Sequence, residues 1–257
     1  MVNAMYDSLS SDYDRFVNWQ SRLSLELPFI IKQLQQVNAR SVLDAATGTG
    51  MHAIALAQLG YQTTGTDISS GMIQKARANA ISAEARVQFE VTGFGALVHT
   101  FGAHSFDALL CLGNSLPHLL SRSELDAALL DFALCLKPGG LLLIQNRNFD
   151  AVMHHRKRWM DPQSHSEANT AWIFQRFYDF DPDGLLTFNM VTLKREGQGN
   201  WSQNVVSSRL RPLLQDELVS ALSQAGFEGI TSYGNLNGDA FDPVTSGNLV
   251  ILSRSPS

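Results

Sequence analysis

With 257 residues, 44% of them hydrophobic, the chain can bury one large core and does not require a second full domain. Its formal net charge is −5, without a dense lysine or arginine block, which argues against nucleic acid as the primary partner. No apolar run approaches a membrane span, and the opening MVNAMYDSLSSDYD lacks a basic leader with an apolar core, so a cytoplasmic protein with no membrane partner is expected. Cys111 and Cys135, both in apolar surroundings, read as buried reduced thiols. No histidine or cysteine spacing of the His-Glu-x-x-His or Cys-x-x-Cys kind occurs, so no metal is expected.

Leu25 to Gln36 reads as a helix, beginning at Pro28 at the latest, and leads into a strand at Ser41–Leu43. A helix at His52–Gln58, a strand at Tyr61–Asp67, a helix at Gly71–Ala80 and a strand at Val87–Val91 follow. Phe106–Leu112 is a fourth strand. The next helix, Ser123 to Leu136, opens with Ser123-x-x-Asp126, which resembles a capping box, and stops at Lys137-Pro138-Gly139-Gly140. Leu141–Gln145 makes a fifth strand. Such alternation predicts a doubly wound, mostly parallel α/β sheet with helices on both faces.

After Asn146 the pattern changes. Ala171–Phe180 and Leu185–Arg195 are extended runs joined by the turn Asp181-Pro182-Asp183-Gly184, and Trp201–Arg211 supplies a third, so an antiparallel insertion is expected. The intervening segment Ala151–Thr170 combines charges, histidines and few apolar residues, a composition that leaves open whether it is ordered without ligand. A helix at Gln215–Ala225 and a strand at Asn248–Ser253 return the chain to the main sheet.

The richest stretch is VLDAATGTG, Val42–Gly50, where an apolar strand delivers Asp44 to a glycine turn that opens a helix. Glycines permit close ligand approach there, and the helix N-terminus offers unpaired N–H donors. The letters Gly48-x-Gly50-x-x-Ala53 also satisfy the dinucleotide fingerprint. A pyrophosphate would meet Asp44 unfavourably, however, and a ligand carrying an ammonium group matches a fixed negative charge better. Asp67, at the tip of the next strand, suits the two hydroxyls of a ribose under either reading. As bland alternatives, Asp44 is a helix cap and Asp67 a turn residue.

VLDAATGTG followed by TGTDISSGMIQKARANA resembles the first two motifs of the class I S-adenosylmethionine-dependent methyltransferases. Asp44, Ala46, Gly48 and Gly50 match the first motif, and Asp67 with Met72 the second; Thr47 stands where the family commonly has cysteine. The resemblance implies the Rossmann-like class I methyltransferase fold, S-adenosyl-L-methionine as cofactor and S-adenosyl-L-homocysteine as product. It also divides a single domain, 1–257, into an N-terminal helical cap (1–36), a cofactor-binding core (37–146), an antiparallel lid insertion (147–211) and a C-terminal part of the core (212–257).

By the same resemblance, Gly93 and Phe94 after the third strand contact the adenine, and Leu112 and His118 contact the cofactor after the fourth. Phe94 as a core plug and His118 as a capping or packing residue are the plain alternatives. The YD-x-L-x-x-x-YD pattern of Tyr6–Asp14 is found ahead of the core in related enzymes, folded over the cofactor. Arg22 then pairs with the cofactor carboxylate, while Trp19 or Tyr13 walls the reaction site. An amphipathic helix docked on the body accounts for the same residues without a ligand.

FDALLCLGNSLPHL, LLLIQNRNFD and MVTL (Met190–Leu193) are similar to segments of glycine and sarcosine N-methyltransferases, where an asparagine and an arginine hold a small amino acid. Asn114 and Arg147 occupy those positions and are the substrate-positioning candidates, Asn114 through its side-chain oxygen and Arg147 through its planar fork. An ion pair of Arg147 with Asp150 is the alternative role. Gln145-Asn146 stands where those enzymes often have Asp-His, which leaves the acceptor open. The implied function is methylation of a small molecule, with N-methylation of a glycine-like amino acid or another small amine by direct displacement preferred. An O- or C-methyltransferase of a secondary metabolite and a non-catalytic S-adenosylmethionine-binding protein are the alternatives. A hydroxyl acceptor would call for a base such as His118, His154 or His155.

Overall fold

The computed structural model describes residues 6–7, 9–10 and 12–256. The first five residues of the expected cap, with Ser8 and Ser11, therefore lie outside the described residues.

Seven strands form the main sheet: β1 (Ser41–Ala45), β2 (Gln62–Asp67), β3 (Gln88–Val91), β4 (Phe106–Cys111), β5 (Leu136–Arg147), β10 (Glu228–Tyr233) and β11 (Asn248–Arg254), in the order β10-β11-β5-β4-β1-β2-β3. Only β11 runs against the rest. The pleat sends alternate residues to opposite faces. Leu109, Cys111, Leu142 and Ile144 pack with α6 (Arg122–Cys135) and α8 (Gln215–Gln224) on one side. Ala108, Leu110, Leu141 and Leu143 pack on the other with α2 (Trp19–Gln36) and Leu56 of α3 (Met51–Gln58). Strands covered on both faces must be apolar throughout, as LLLI of β5 is. Both cysteines are free and buried.

Helix α2 begins at Trp19, six positions before the expected Leu25, because the Asn18 side chain accepts the Ser21 N–H at 3.1 Å and starts the first turn; Pro28 is carried inside. Helix α6 is capped two residues earlier than its sequence suggests. Ser121 and Glu124 close a capping box, so Ser123 and Asp126 are not the cap. Lys137-Pro138-Gly139-Gly140 does not separate helix from strand but lies within β5, at a register shift opposite β4.

The second sheet is antiparallel, β6 (Gln163–Glu167), β7 (Thr170–Phe180), β8 (Leu186–Glu196) and β9 (Ser202–Leu210), in sequential order. Part of Ala151–Thr170, whose order the sequence left open, is structured, as the end of α7 (Phe149–His155) and as β6. Leu9 and Phe16 from the N-terminal segment pack on Trp172, Phe174 and Met190 of this sheet, while Phe149 and Val152 anchor its other end.

Candidate active site

Strand order reverses between β1 and β4, and the crevice beyond their carboxyl ends is where open α/β sheets bind ligands. A cavity of about 210 Å³ opens there. Three positive-φ residues, Ala46 (59°), Gly48 (57°) and Gly50 (81°), fold the turn after β1 tightly enough to aim backbone at it. A Cβ on Gly48 would project into the open space, its only neighbour within 4 Å among the described residues a Tyr13 ring carbon at 4.0 Å.

Asp44 is buried at the back of the cavity, where Thr47 donates to it at 2.6 Å. Asp67 accepts the N–H groups of Gly48 (3.0 Å) and Ser69 (2.9 Å). Burial pushes both carboxyls above the ordinary aspartate range. Ten of the expected cofactor residues line this cavity: Trp19, Arg22, Asp44, Ala46, Gly48, Asp67, Gly93, Phe94, Leu112 and His118. Gly50 and Met72 do not reach it. A Cβ on Gly50 would strike the Phe89 ring at 2.7 Å, and Met72 is wholly buried in α4 (Ser70–Ser82). Phe94 lines the cavity and also meets Phe132 of the core edge-on at 5.4 Å.

The aspartates of the YD-x-L-x-x-x-YD pattern act as anchors and its tyrosines as lining. Asp7 accepts from Ser69 Oγ (2.5 Å) and the Gly71 N–H (3.1 Å) at the start of α4. Asp14 accepts from Thr49 Oγ1 (2.6 Å), Trp19 Nε1 (2.9 Å) and Asn79 Nδ2 (3.0 Å). Tyr6 and Tyr13 thereby face the cavity. The Tyr6 hydroxyl lies 2.8 Å from His118 Nε2, and Ser208 Oγ lies 3.3 Å from Nδ1. Donation from Tyr6 to Nε2 and from Nδ1–H to Ser208 satisfies all three groups. Burial pulls the imidazole down to about 4, so it stays neutral near pH 7.

A second chamber, of about 220 Å³, adjoins the first and shares Tyr6, Tyr13, Arg22, Gly113 and His118 with it. Asn114 and Arg147 both line it. Gly113 (φ 76°) and Asn114 (φ 71°) turn the chain sharply after β4, and Asn114 Oδ1 accepts the backbone N–H of Arg147 at 3.0 Å. The asparagine oxygen expected to face an amine is thus engaged in holding Arg147. Asp150 forms no ion pair with Arg147; it accepts the Gln215 N–H at 3.0 Å. His154 and His155 line neither chamber, and His155 Nε2 lies 3.1 Å from the Val244 carbonyl oxygen.

Four titratable lining residues escaped the sequence reading. Glu26 and His52 are hidden in helices, paired at 2.7 Å, with Glu26 also accepting from Arg22 Nε at 3.0 Å. Arg176 and Tyr178 belong to β7. Their signal was the period-two face Trp172, Phe174, Arg176, Tyr178, in which a single charge interrupts aromatic residues.

Residues 42–140 match the methyltransferase domain family. The chain belongs to the class I S-adenosylmethionine-dependent methyltransferases: it is an enzyme of that fold with S-adenosyl-L-methionine as its cofactor. It is 30% identical over 233 residues to the glycine/sarcosine N-methyltransferase of Aphanothece halophytica, covering 91% of this chain and 83% of the relative. The enzyme of the same name from Parasynechococcus marenigrum is 27% identical over 247 residues, with coverage of 92% and 80%. The structure of the CcbJ methyltransferase from Streptomyces caelestis superposes with a TM-score of 0.78 at 22% identity over 98% of both chains, a likeness of fold.

The donor set fits the cofactor: two carboxylates for ammonium and hydroxyl groups, a glycine floor open to close approach, aromatic walls and a neutral imidazole. Among the described residues no helix is long and apolar enough to cross a membrane.

Proposed function

We propose that this methyltransferase N-methylates a glycine-like amino acid or another small amine by direct displacement. The observation that carries the reading is Arg147, whose Nε is buried without a hydrogen-bond partner in a chamber continuous with the cofactor cavity. A free guanidinium fork suits a carboxylate. The names of the Aphanothece and Parasynechococcus enzymes support the same acceptor class.

When bound, S-adenosylmethionine supplies an electrophilic sulfonium methyl and departs as neutral S-adenosylhomocysteine, so the chain's main task is placement. In this reading Asp67 holds the ribose, Gly93 and Phe94 flank the base, and Asp44 lies toward the methionine ammonium. Arg22 turns its free nitrogens to the cofactor carboxylate, while Trp19, Leu112 and His118 complete the wall. Arg147 grips the acceptor carboxylate, and Asn114 fixes Arg147 by its backbone. The neutral acceptor nitrogen then points through the shared opening beside Tyr6 and Tyr13, and after transfer its surplus proton passes to water. The second sheet, with the N-terminal segment, shuts water out as a lid.

The test is mass-spectrometric detection of methylated product from glycine, sarcosine and larger amines, with wild-type protein and Arg147→Ala. The expected result is N-methyl product whose kcat/KM falls at least about a hundredfold in the variant, the loss of a charge-assisted contact. Turnover only of phenols or alcohols, indifferent to Arg147, would refute the reading in favour of an O-methyltransferase.

A further inference from the structure

The acceptor chamber carries more positive charge than one carboxylate can balance. Three arginines line it, Arg22, Arg147 and Arg176, with Glu26 as the one acid. Glu26 is committed: it accepts from Arg22 Nε at 3.0 and 3.1 Å and contacts His52 Nε2 at 2.7 Å. Arg22 is therefore balanced within the protein. Arg147 and Arg176 are not. Each has a buried Nε without a hydrogen-bond partner, and among the described residues neither has a carboxylate within ion-pair distance.

Arg176 is also held in place. Its guanidinium carbon stands 4.5 Å from the centroid of the Phe16 ring, a cation–π contact that fixes the side chain without cancelling its charge. Burial first, then the nearness of Arg147, pulls Arg176 below the ordinary arginine range; the carboxylate it feels, Asp161, is exposed and forms no ion pair with it. Tyr178 feels both guanidiniums, and its own burial keeps its hydroxyl protonated. Two like charges facing one small, partly buried space cost free energy until anions join them. An acceptor nitrogen must be unprotonated to attack, so it brings no cation to offset.

We infer that Arg176 and Arg147 form two anion seats in one chamber, and that the preferred acceptor is a small amine bearing two acidic groups. This rests on the N-methyltransferase reading and narrows it. Arg147, pinned by Asn114 at the end of β5, takes the acid group nearest the reacting nitrogen; Arg176, across the chamber on β7, takes the second. The relation between the two sheets then sets the spacing of the two acids. Glycine fills only one seat.

Two measurements test this on the full chain. First, kcat/KM is compared for glycine and sarcosine against aspartate, glutamate and iminodiacetate, in wild type, Arg176→Gln and Arg176→Lys. The expected result is a preference for diacidic amines of about tenfold or more, abolished in Arg176→Gln and partly kept in Arg176→Lys, whose charge remains. Second, succinate and acetate are titrated calorimetrically into protein saturated with S-adenosylhomocysteine, which reads the seats without turnover. Succinate is expected to bind at least about tenfold more tightly than acetate, with the difference dependent on Arg176. Turnover of glycine without diacid preference, together with equal binding of the two acids, overturns the paired seats and leaves the N-methyltransferase reading standing. Arg176-dependent succinate binding without turnover of any amine keeps the seats and overturns that reading. Equal loss for glycine and diacids in both Arg176 variants makes Arg176 a structural residue and also overturns the inference.

Discussion

Asp14 is the joint between the N-terminal segment and the core, and removing its carboxylate should loosen the cofactor wall without unfolding the domain. Two of its hydrogen bonds, from Thr49 Oγ1 at 2.6 Å and Asn79 Nδ2 at 3.0 Å, cross that joint, and Lys75 adds an ion pair at 3.5 Å. The Asp14 side chain is 23% exposed, so each crossing hydrogen bond is discounted for solvent screening to the typical net value, roughly 1 kcal/mol, and the ion pair to a few tenths. Asp14→Ala should therefore cost the docked state about 2–3 kcal/mol. If cofactor binds only with the segment docked, apparent affinity falls by the fraction that remains docked, at most about 30- to 150-fold. Calorimetry with S-adenosylmethionine measures the affinity, and amide exchange over residues 12–22 the docking. The sheet core is untouched, so the urea midpoint should scarcely move. Unchanged affinity together with unchanged exchange would refute the role given to this joint.

Two further predictions concern the glycine turn and the buried imidazole. Gly50→Ala should destabilise the fold by about 2–4 kcal/mol in urea titration, because its φ is +81° and the new Cβ meets Phe89 at 2.7 Å and Ala76 at 2.9 Å. Gly48→Ala should cost only about 1 kcal/mol of stability but weaken S-adenosylmethionine binding, because its Cβ enters the cavity; equal losses in both variants would count against this division. His118 titrates near 4 when folded and near 6.5 when unfolded, so between those values the unfolded chain binds more protons. Its contribution to stability is full above pH 6.5 and is lost as pH falls toward 4, by no more than roughly 3 kcal/mol. Urea midpoints measured across that range should show a shallower pH dependence in His118→Gln.

The core strands and their helices were legible because each signal is local: apolar runs covered on both faces, an acid at the tip of β2 and a glycine turn after β1. Strands β6 and β10 were not. Gln163–Glu167 is polar and mostly exposed, extended only because it pairs with β7, and Glu228–Tyr233 is an edge strand with an irregular register beside Gly229. Asn114 and Arg147 could be placed from similar segments, yet the geometry that engages Asn114 with the Arg147 backbone depends on two consecutive positive-φ residues. Arg176 was hidden for another reason. The alternation in β7 shows which face Arg176 shares, but its place beside Arg147 comes from residues of both sheets lining one chamber, which no single segment encodes.

The N-terminal segment also has a consequence for the order in which the molecule assembles. Its anchoring contacts join residues far apart in the chain, Asp7 with Ser69 across 62 positions and Asp14 with Asn79 across 65. Chain closure of that length costs entropy before any contact rewards it. These contacts also need α4 to exist already, so the segment that carries Asp7 and Asp14 is expected to settle after it. The crevice beyond β1 and β4 is therefore expected to stay uncovered until that segment docks, with amide protection at residues 12–22 appearing later in refolding than protection in β1.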